Sequence, residues 1–320
     1  MTLKAILAIC LTFAILFPVI AKASPEEACP TVRVDTTHML KESHQAASQR
    51  HEGANTNICF AFAAAELMSF ELKEPVLPYH VALRNFMFSQ SVEDYGAEKE
   101  GRPSQHISTQ TGGRIRDSLL LSTSPTLNPT RELCSAKSLT KQSDWQAISS
   151  LIAFTSTGDP DSTACSDQNI KGLHKFELNL REIFSAVAPL PALEKIVTQI
   201  CSERRVNVTS IREKIKSGQF AHERPPSEIK EALRLGKPVG IEFSTDMISP
   251  EMVYAHAAVF IGMEYDKSSK KCKFLLKDSY GKNCRENLNP GVQCDPKTGY
   301  YLVPEELADK HVKYANYFKK

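Results

Sequence analysis

From Ile58 to Phe70 the chain reads "ICFAFAAAELMSF", with Ile58, Phe60, Phe62, Ala63, Ala64, Leu67, Met68 and Phe70 leaving no polar stripe. A helix apolar all round, rather than along one face, is predicted to lie in the core. Helical spacing recurs in "YHVALRNFMFSQ" and from "GGRIRDSLLL", after which residues 122–140, rich in Ser, Thr and Pro, read as a loop. From about 143 to 235 the pattern stays helical, in "LREIFSAV", "LEKIVTQIC" and "PPSEIKEALRLG"; Pro225 or Pro226 near the start of the last and Gly236 at its end are ordinary helix punctuation. The grammar then changes. "KPVGIEF", "MVYAHAAVFIGMEY", "CKFLLKDSY" and "GYYLVP" are short runs rich in β-branched and aromatic residues, separated by turn residues, and predict antiparallel strands. Helices first and strands last predict an α+β fold, with a helical N-terminal layer packed on a C-terminal antiparallel sheet. The cleft between the layers is the natural place for a site.

The N-terminus departs from this pattern. Lys4 is followed by an apolar run from Ala5 to Ile20 and then by Ala21-Lys22-Ala23, which predicts a signal peptide over residues 1–23, cut between Ala23 and Ser24. Secreted or periplasmic localisation follows, without stable membrane association. Residues 24–54 are polar and irregular and read as an N-terminal arm, too few for a large folded propeptide; any latency is expected from this arm or from the helices after residue 122. Loss of Lys4 and Lys22 balances the basic residues against the 37 acidic ones. Such a balance gives no reason to expect a nucleic-acid partner.

Of the nine cysteines, cleavage would remove Cys10 and leave eight, able to pair in an oxidising compartment. If one is kept as a nucleophile, the parity requires a second unpaired thiol. No Cys-x-x-Cys or His-Glu-x-x-His is present, and Cys272, Cys284 and Cys294 are spaced too widely for a zinc knuckle, so neither metal nor cofactor is expected.

Cys59 is the residue that raises a chemical question. A thiol in the first turn of a buried helix is either packing material or a nucleophile on a rigid element. Asn55, Thr56 and Asn57 before it are residues that cap helices, and the free amides of a first turn stabilise a thiolate. A nucleophilic thiolate needs a histidine, and only His256 lies inside a strand-like apolar run; alternation turns Tyr254, His256 and Ala258 to one face. The other histidines sit in polar or loop-like sequence. Asp278, at the end of the next strand, is either a turn cap or the group that holds the imidazole in one tautomer.

Taken in order, these segments resemble the papain family of cysteine peptidases, in its divergent bacterial form. The family's Cys-Trp-Ala-Phe-Ala is matched by Cys59-Phe60-Ala61-Phe62-Ala63, and its His-Ala-Val run by His256-Ala257-Ala258-Val259-Phe260-Ile261-Gly262. Lys237-Pro238-Val239 stands for its Gly-Pro-Val strand, Asp278-Ser279-Tyr280-Gly281 for its Asn-Ser-Trp-Gly, and Gly112-Gly113 for its substrate-binding Gly-Gly; "GYYLVPEEL" is similar to the last strand of bacterial members. The resemblance covers about residues 53–122 and 236–307. It implies a helical subdomain over 55–122, a mainly helical insertion over 123–235 and a β subdomain or barrel over 236–320. The Cys59–His256 separation exceeds the roughly 130–150 residues usual in the family, consistent with that insertion.

The resemblance implies a thiol endopeptidase with Cys59 as nucleophile, His256 as acid and base, and Asp278 as orienting group, acting on a peptide or protein held by Gly112, Gly113 and Tyr280. Three departures stand out: aspartate for asparagine at Asp278, tyrosine for tryptophan at Tyr280, and Gly53 where the family's oxyanion glutamine would fall. Asn55 or Asn57 then becomes the replacement oxyanion donor, beside the Cys59 amide. Two alternatives stay open: a papain-fold binding protein without turnover, and a cell-wall amidase or transglutaminase. The last two also run cysteine, histidine and polar group in this order. Nothing in the sequence specifies the oligomeric state.

Overall fold

A computed structural model describes residues 29–41, 58–102, 113–139, 194, 197, 199, 201, 204–223, 227–251, 253–279 and 284–319. The predicted signal peptide, Cys165, "LREIFSAV", Asn55, Asn57, Gly112 and Tyr280 all lie outside these residues.

The apolar run forms α1 (Cys59–Leu72), in which every residue from Phe60 to Phe70 is buried. It ends at Lys73 in the left-handed conformation. Helix α2 (Pro78–Glu100) starts with proline in its first turn, where a missing N–H costs nothing, and stops at Gly101, whose φ of 65° suits glycine. Helix α3 (Ile115–Thr123) follows. Helix α1 packs on α2 and α3, with Phe60 edge-on to Phe86 and Phe62 edge-on to Tyr79 at ring-centroid distances of 6.2 and 5.9 Å. It also packs on the sheet and on the helix Thr209–Lys216.

That sheet holds eight strands: β1 (Val32–Arg33), β4 (Phe220–Glu223), β5 (Val239–Ser244), β6 (Ala255–Asp266), β7 (Lys271–Lys277), β8 (Gln293–Cys294), β9 (Tyr301–Pro304) and β10 (Val312–Phe318). Their order is β4-β10-β5-β6-β7-β9-β8, every pair antiparallel. Strand β6 is the spine: its first half pairs with β5, its second half with both β7 and β1, and a register shift falls between Phe260 and Gly262. Gly262 has to be glycine, because a Cβ there would sit 2.5 Å from the Val32 carbonyl oxygen. A second, two-stranded sheet joins β2 (Glu132–Cys134) to β3 (Arg205–Asn207). Short helices α4 (Thr209–Lys216), α5 (Ser227–Arg234) and α6 (Glu305–His311) complete the described elements.

The fold is thus mixed helix and antiparallel sheet, but two sequence readings need correction. Residues 122–140 are not all loop, since Glu132–Cys134 form β2, and the stretch read as continuously helical contains β3 and β4. These strands are three and four residues long, too short to show an alternation, and they exist because distant partners supply their ladders.

The described part of the arm is stitched into the sheet. Cys29 pairs with Cys272, Val32 and Arg33 pair with Met263 and Gly262, and the Val34 N–H donates to the Ile261 carbonyl at 2.8 Å. Cys134–Cys201 and Cys284–Cys294 are the other two pairs at disulfide distance, and Cys59 is the free cysteine among the described residues. Among the described residues no helix is long and apolar enough to cross a membrane.

Candidate active site

Three elements bring Cys59, His256 and Asp278 together. Cys59 is the first residue of α1, His256 the second of β6, and Asp278 follows directly on the last residue of β7. Strands β6 and β7 are adjacent, so the histidine and the carboxyl group come from neighbouring threads of one sheet. Helix α1 lies against β6 and delivers the sulfur from the other layer.

His256 Nε2 and Asp278 Oδ1 are 2.8 Å apart, with both side chains buried. The ring also hydrogen-bonds the Cys59 thiol, which leaves Nδ1 for the sulfur. Burial alone would favour a neutral ring. The Asp278 carboxylate, and after it Cys59, overcome that penalty and raise the His256 pKa to about 10. Imidazolium is therefore the resident form at neutral pH. Cys59 is half-buried and unbridged, whereas His256 and Asp278 behind it are buried.

Helix geometry adds donors. The hydrogen-bond ladder of α1 begins with the Ala61 N–H, bonded to the Ile58 carbonyl at 2.9 Å, so the Cys59 and Phe60 amides precede it. The N-cap is Ile58, whose own side chain makes no capping bond; Asn55, Thr56 and Asn57, the expected capping residues, lie outside the described residues. Gly113 lies beside α1. A Cβ on it would stand 2.8 Å from the Phe60 ring and 2.5 Å from Asn85 Nδ2, so any larger residue would have to displace these side chains.

Several site residues carry no motif. Phe243 and Tyr254 set their rings edge-on to the His256 imidazole at centroid distances of 5.3 and 6.2 Å. Tyr254 in turn accepts a hydrogen bond from Arg285 Nη2 at 3.0 Å, and the Arg285 amide donates to the Tyr301 hydroxyl at 2.9 Å. Burial first, and then the Asp278 charge, push the Tyr301 phenol up to about 12, keeping it neutral beside the carboxylate. The alternation that turns Tyr254 with His256 was readable in the sequence; Phe243 reaches the imidazole, and Arg285 reaches Tyr254, through tertiary pairing alone.

A second buried pair ties the two layers below the triad. Lys277 Nζ is 2.7 Å from Glu66 Oε1, with both side chains at most 2% exposed. Between them they hold one residue of the arm, for the Leu40 N–H donates to Glu66 Oε2 at 3.0 Å and its carbonyl accepts from Lys277 Nζ. Lys277 directly precedes Asp278 and Glu66 lies on α1, so this clamp fixes the nucleophile helix relative to the strand end bearing the carboxyl group. Sequence reading missed it, because a lone acid in an apolar helix gives no sign of a partner so remote along the chain. Among the described residues, no group of three or more His, Cys, Asp or Glu side chains is placed to hold a metal ion.

Compared with known proteins, the chain matches no protein-family model and no curated protein sequence.

Proposed function

We propose that this chain is an exported papain-like cysteine endopeptidase. The observation that carries the reading is the hydrogen-bonded line from a free, half-buried Cys59 through His256 to Asp278, drawn from three remote segments in the order the papain resemblance requires. In the reaction, the Cys59 thiolate attacks the scissile carbonyl carbon and the Cys59 N–H, with Asn55 or Asn57, receives the oxyanion. The imidazolium of His256 gives its proton to the leaving amine as the C–N bond breaks, leaving a thioacyl intermediate on the sulfur. Neutral His256 then takes a proton from water as that water attacks the thioester. Collapse releases the carboxylic acid product and restores the thiolate–imidazolium pair. Asp278 stays ionised throughout and keeps the ring turned with Nδ1 toward the sulfur. Gly112 and Gly113 hold the substrate as an added strand, with Tyr280 beside it; the closeness of Gly113 to Phe60 supports this placement.

Export rests on the apolar N-terminal run with its small-x-small site, and on the three cysteine pairs, which belong in an oxidising compartment. Replacing Cys59 by Ala is expected to abolish hydrolysis of a denatured protein and to lower iodoacetamide labelling by one thiol per chain. Hydrolysis that survives the substitution removes the nucleophile from the account.

One observation favours a second reading. Gly53 stands where the family has its oxyanion glutamine, and losing one such donor costs about 10²–10³ in rate. A chain that melts cooperatively, reacts with iodoacetamide at Cys59, yet cleaves no denatured protein under reducing conditions would be a papain-fold binding protein. Release of peptidoglycan fragments or incorporation of an amine donor would instead assign it to the amidases or transglutaminases.

A further inference from the structure

Away from Cys59, a cavity of about 360 Å³ opens among α2, the two-stranded β2–β3 sheet and the Cys134–Cys201 pair. His80, Arg84, Thr130, Glu132, Glu194 and Arg205 supply its polar lining. His80 and Arg84 stand four residues apart on α2 and so share a face. His80 is only 5% exposed, and its Nδ1 accepts the Cys134 N–H at 3.0 Å. With the lone pair committed there, the proton of the neutral ring sits on Nε2. Burial first, then Arg84 and Arg205, hold the ring neutral by lowering its pKa to about 3.

Among the buried polar atoms of this lining, two donors are left over. His80 Nε2 and Arg84 Nε are both buried and have no hydrogen-bond partner among the described residues. The rest of the charge is already matched: Arg84 Nη1 donates to the Leu127 carbonyl at 2.6 Å and pairs with Glu194 at 2.5 Å, while Arg205 pairs with Glu132 at 3.0 Å. Buried donors without acceptors are rare in folded proteins because their desolvation is uncompensated. A ligand that satisfies both must present acceptor oxygens, and charged oxygens are the strongest acceptors for such donors.

We propose that this cavity binds a small oxyanion, a carboxylate or phosphate group, whose oxygens accept from His80 Nε2–H and Arg84 Nε–H. The site is independent of the Cys59 chemistry. It is tested on the full chain by titrating inorganic phosphate and acetate, following long-range proton–nitrogen spectra of the histidine rings together with calorimetry. The expected result is a saturable shift of the His80 Nε2 resonance with at least one of the two anions, the stronger binder naming the oxyanion class. His80→Asn puts Oδ1 where Nδ1 was, keeps the acceptor for the Cys134 amide and deletes the donor. It is expected to weaken binding about tenfold or more while iodoacetamide labelling of Cys59 is unchanged. Arg84→Lys, which keeps a charge opposite Glu194 and loses the Nε donor, should weaken binding similarly. Absence of a saturable His80 shift with either anion, meaning water alone fills the cavity, overturns the proposal. So does binding that survives both substitutions; if His80→Asn does not fold, Arg84→Lys and the ring spectra of the unsubstituted chain decide.

Discussion

His80 and His256 are equally buried, each 5% exposed, and yet their chemistry is opposite. The ring of His80 faces Arg84 and Arg205 and is pushed down to about 3; that of His256 lies between Asp278 and Cys59 and is raised to about 10. Burial disfavours the imidazolium in both. The sign of the neighbouring charge decides which one carries a proton at pH 7. One molecule thus keeps a neutral histidine as a fixed donor and acceptor, and a charged one as a store of a transferable proton.

The largest expected effect separates the two by activity. His256→Asn should lower hydrolysis of a denatured protein by about 10³ or more, the scale of lost acid–base catalysis, whereas His80→Asn should leave it within about threefold. Initial rates on the same substrate check this, and equal losses would erase the distinction.

Next in size is the clamp that seats Asp278 beside His256. Removing one member of the buried Glu66–Lys277 pair, as in Lys277→Met, strands a charge and the Leu40 backbone contacts. A loss of about 3–5 kcal/mol in denaturant unfolding is expected, with much of it recovered in the double variant Glu66→Leu, Lys277→Met.

Stability against pH should show the two histidines as opposite limbs. The stabilisation that His256 contributes is complete below its unfolded value near 6.5 and is lost as the pH rises through about 10. For His80 it is complete above 6.5 and lost as the pH falls toward about 3. Each limb has a slope of up to about 1.4 kcal/mol per pH unit. Chemical denaturation across the pH range should therefore flatten on the alkaline side in His256→Asn and on the acid side in His80→Asn.

The smallest effect tests the cause of the raised value. Asp278→Asn keeps a hydrogen-bond acceptor but removes the charge, so the imidazolium should be lost earlier and the alkaline limb of activity should move down by about 1–3 pH units. An unmoved limb would mean that Asp278 does not set the His256 proton affinity.

Much of this was written in local pattern. Helices α1, α2, α3 and α5 and strands β5, β6, β7 and β9 follow from periodicity and turn residues, and Cys59, His256 and Asp278 from their order on those elements. What escaped depends on distant partners. Strand β1 is two residues whose ladder is supplied by β6, and "FAHE" of β4 becomes a strand only beside β10. His80, read with the histidines of polar surroundings, is buried because the Cys134 amide and the two-stranded β2–β3 sheet close over α2. Cysteine parity was legible, pairing was not: Cys29 and Cys272 are 243 residues apart, and spacing carries no register across such a distance. The clamp at Leu40 was invisible for the same reason. Its presence makes the described arm part of the fold, so a cut before residue 29 would leave that segment pinned by Cys29–Cys272, the β1–β6 ladder and the Glu66–Lys277 pair.

The central claim is that the Cys59 sulfur does the chemistry with His256 behind it. Its most direct test is a titration of the native chain, disulfides intact, with iodoacetamide, scoring Cys59 modification by peptide mass spectrometry against remaining hydrolysis of a denatured protein. Activity should fall in proportion to the Cys59 adduct, reaching zero when Cys59 is fully modified, and the adduct should form more slowly in His256→Asn. Full activity in a chain whose Cys59 is completely alkylated would contradict the account.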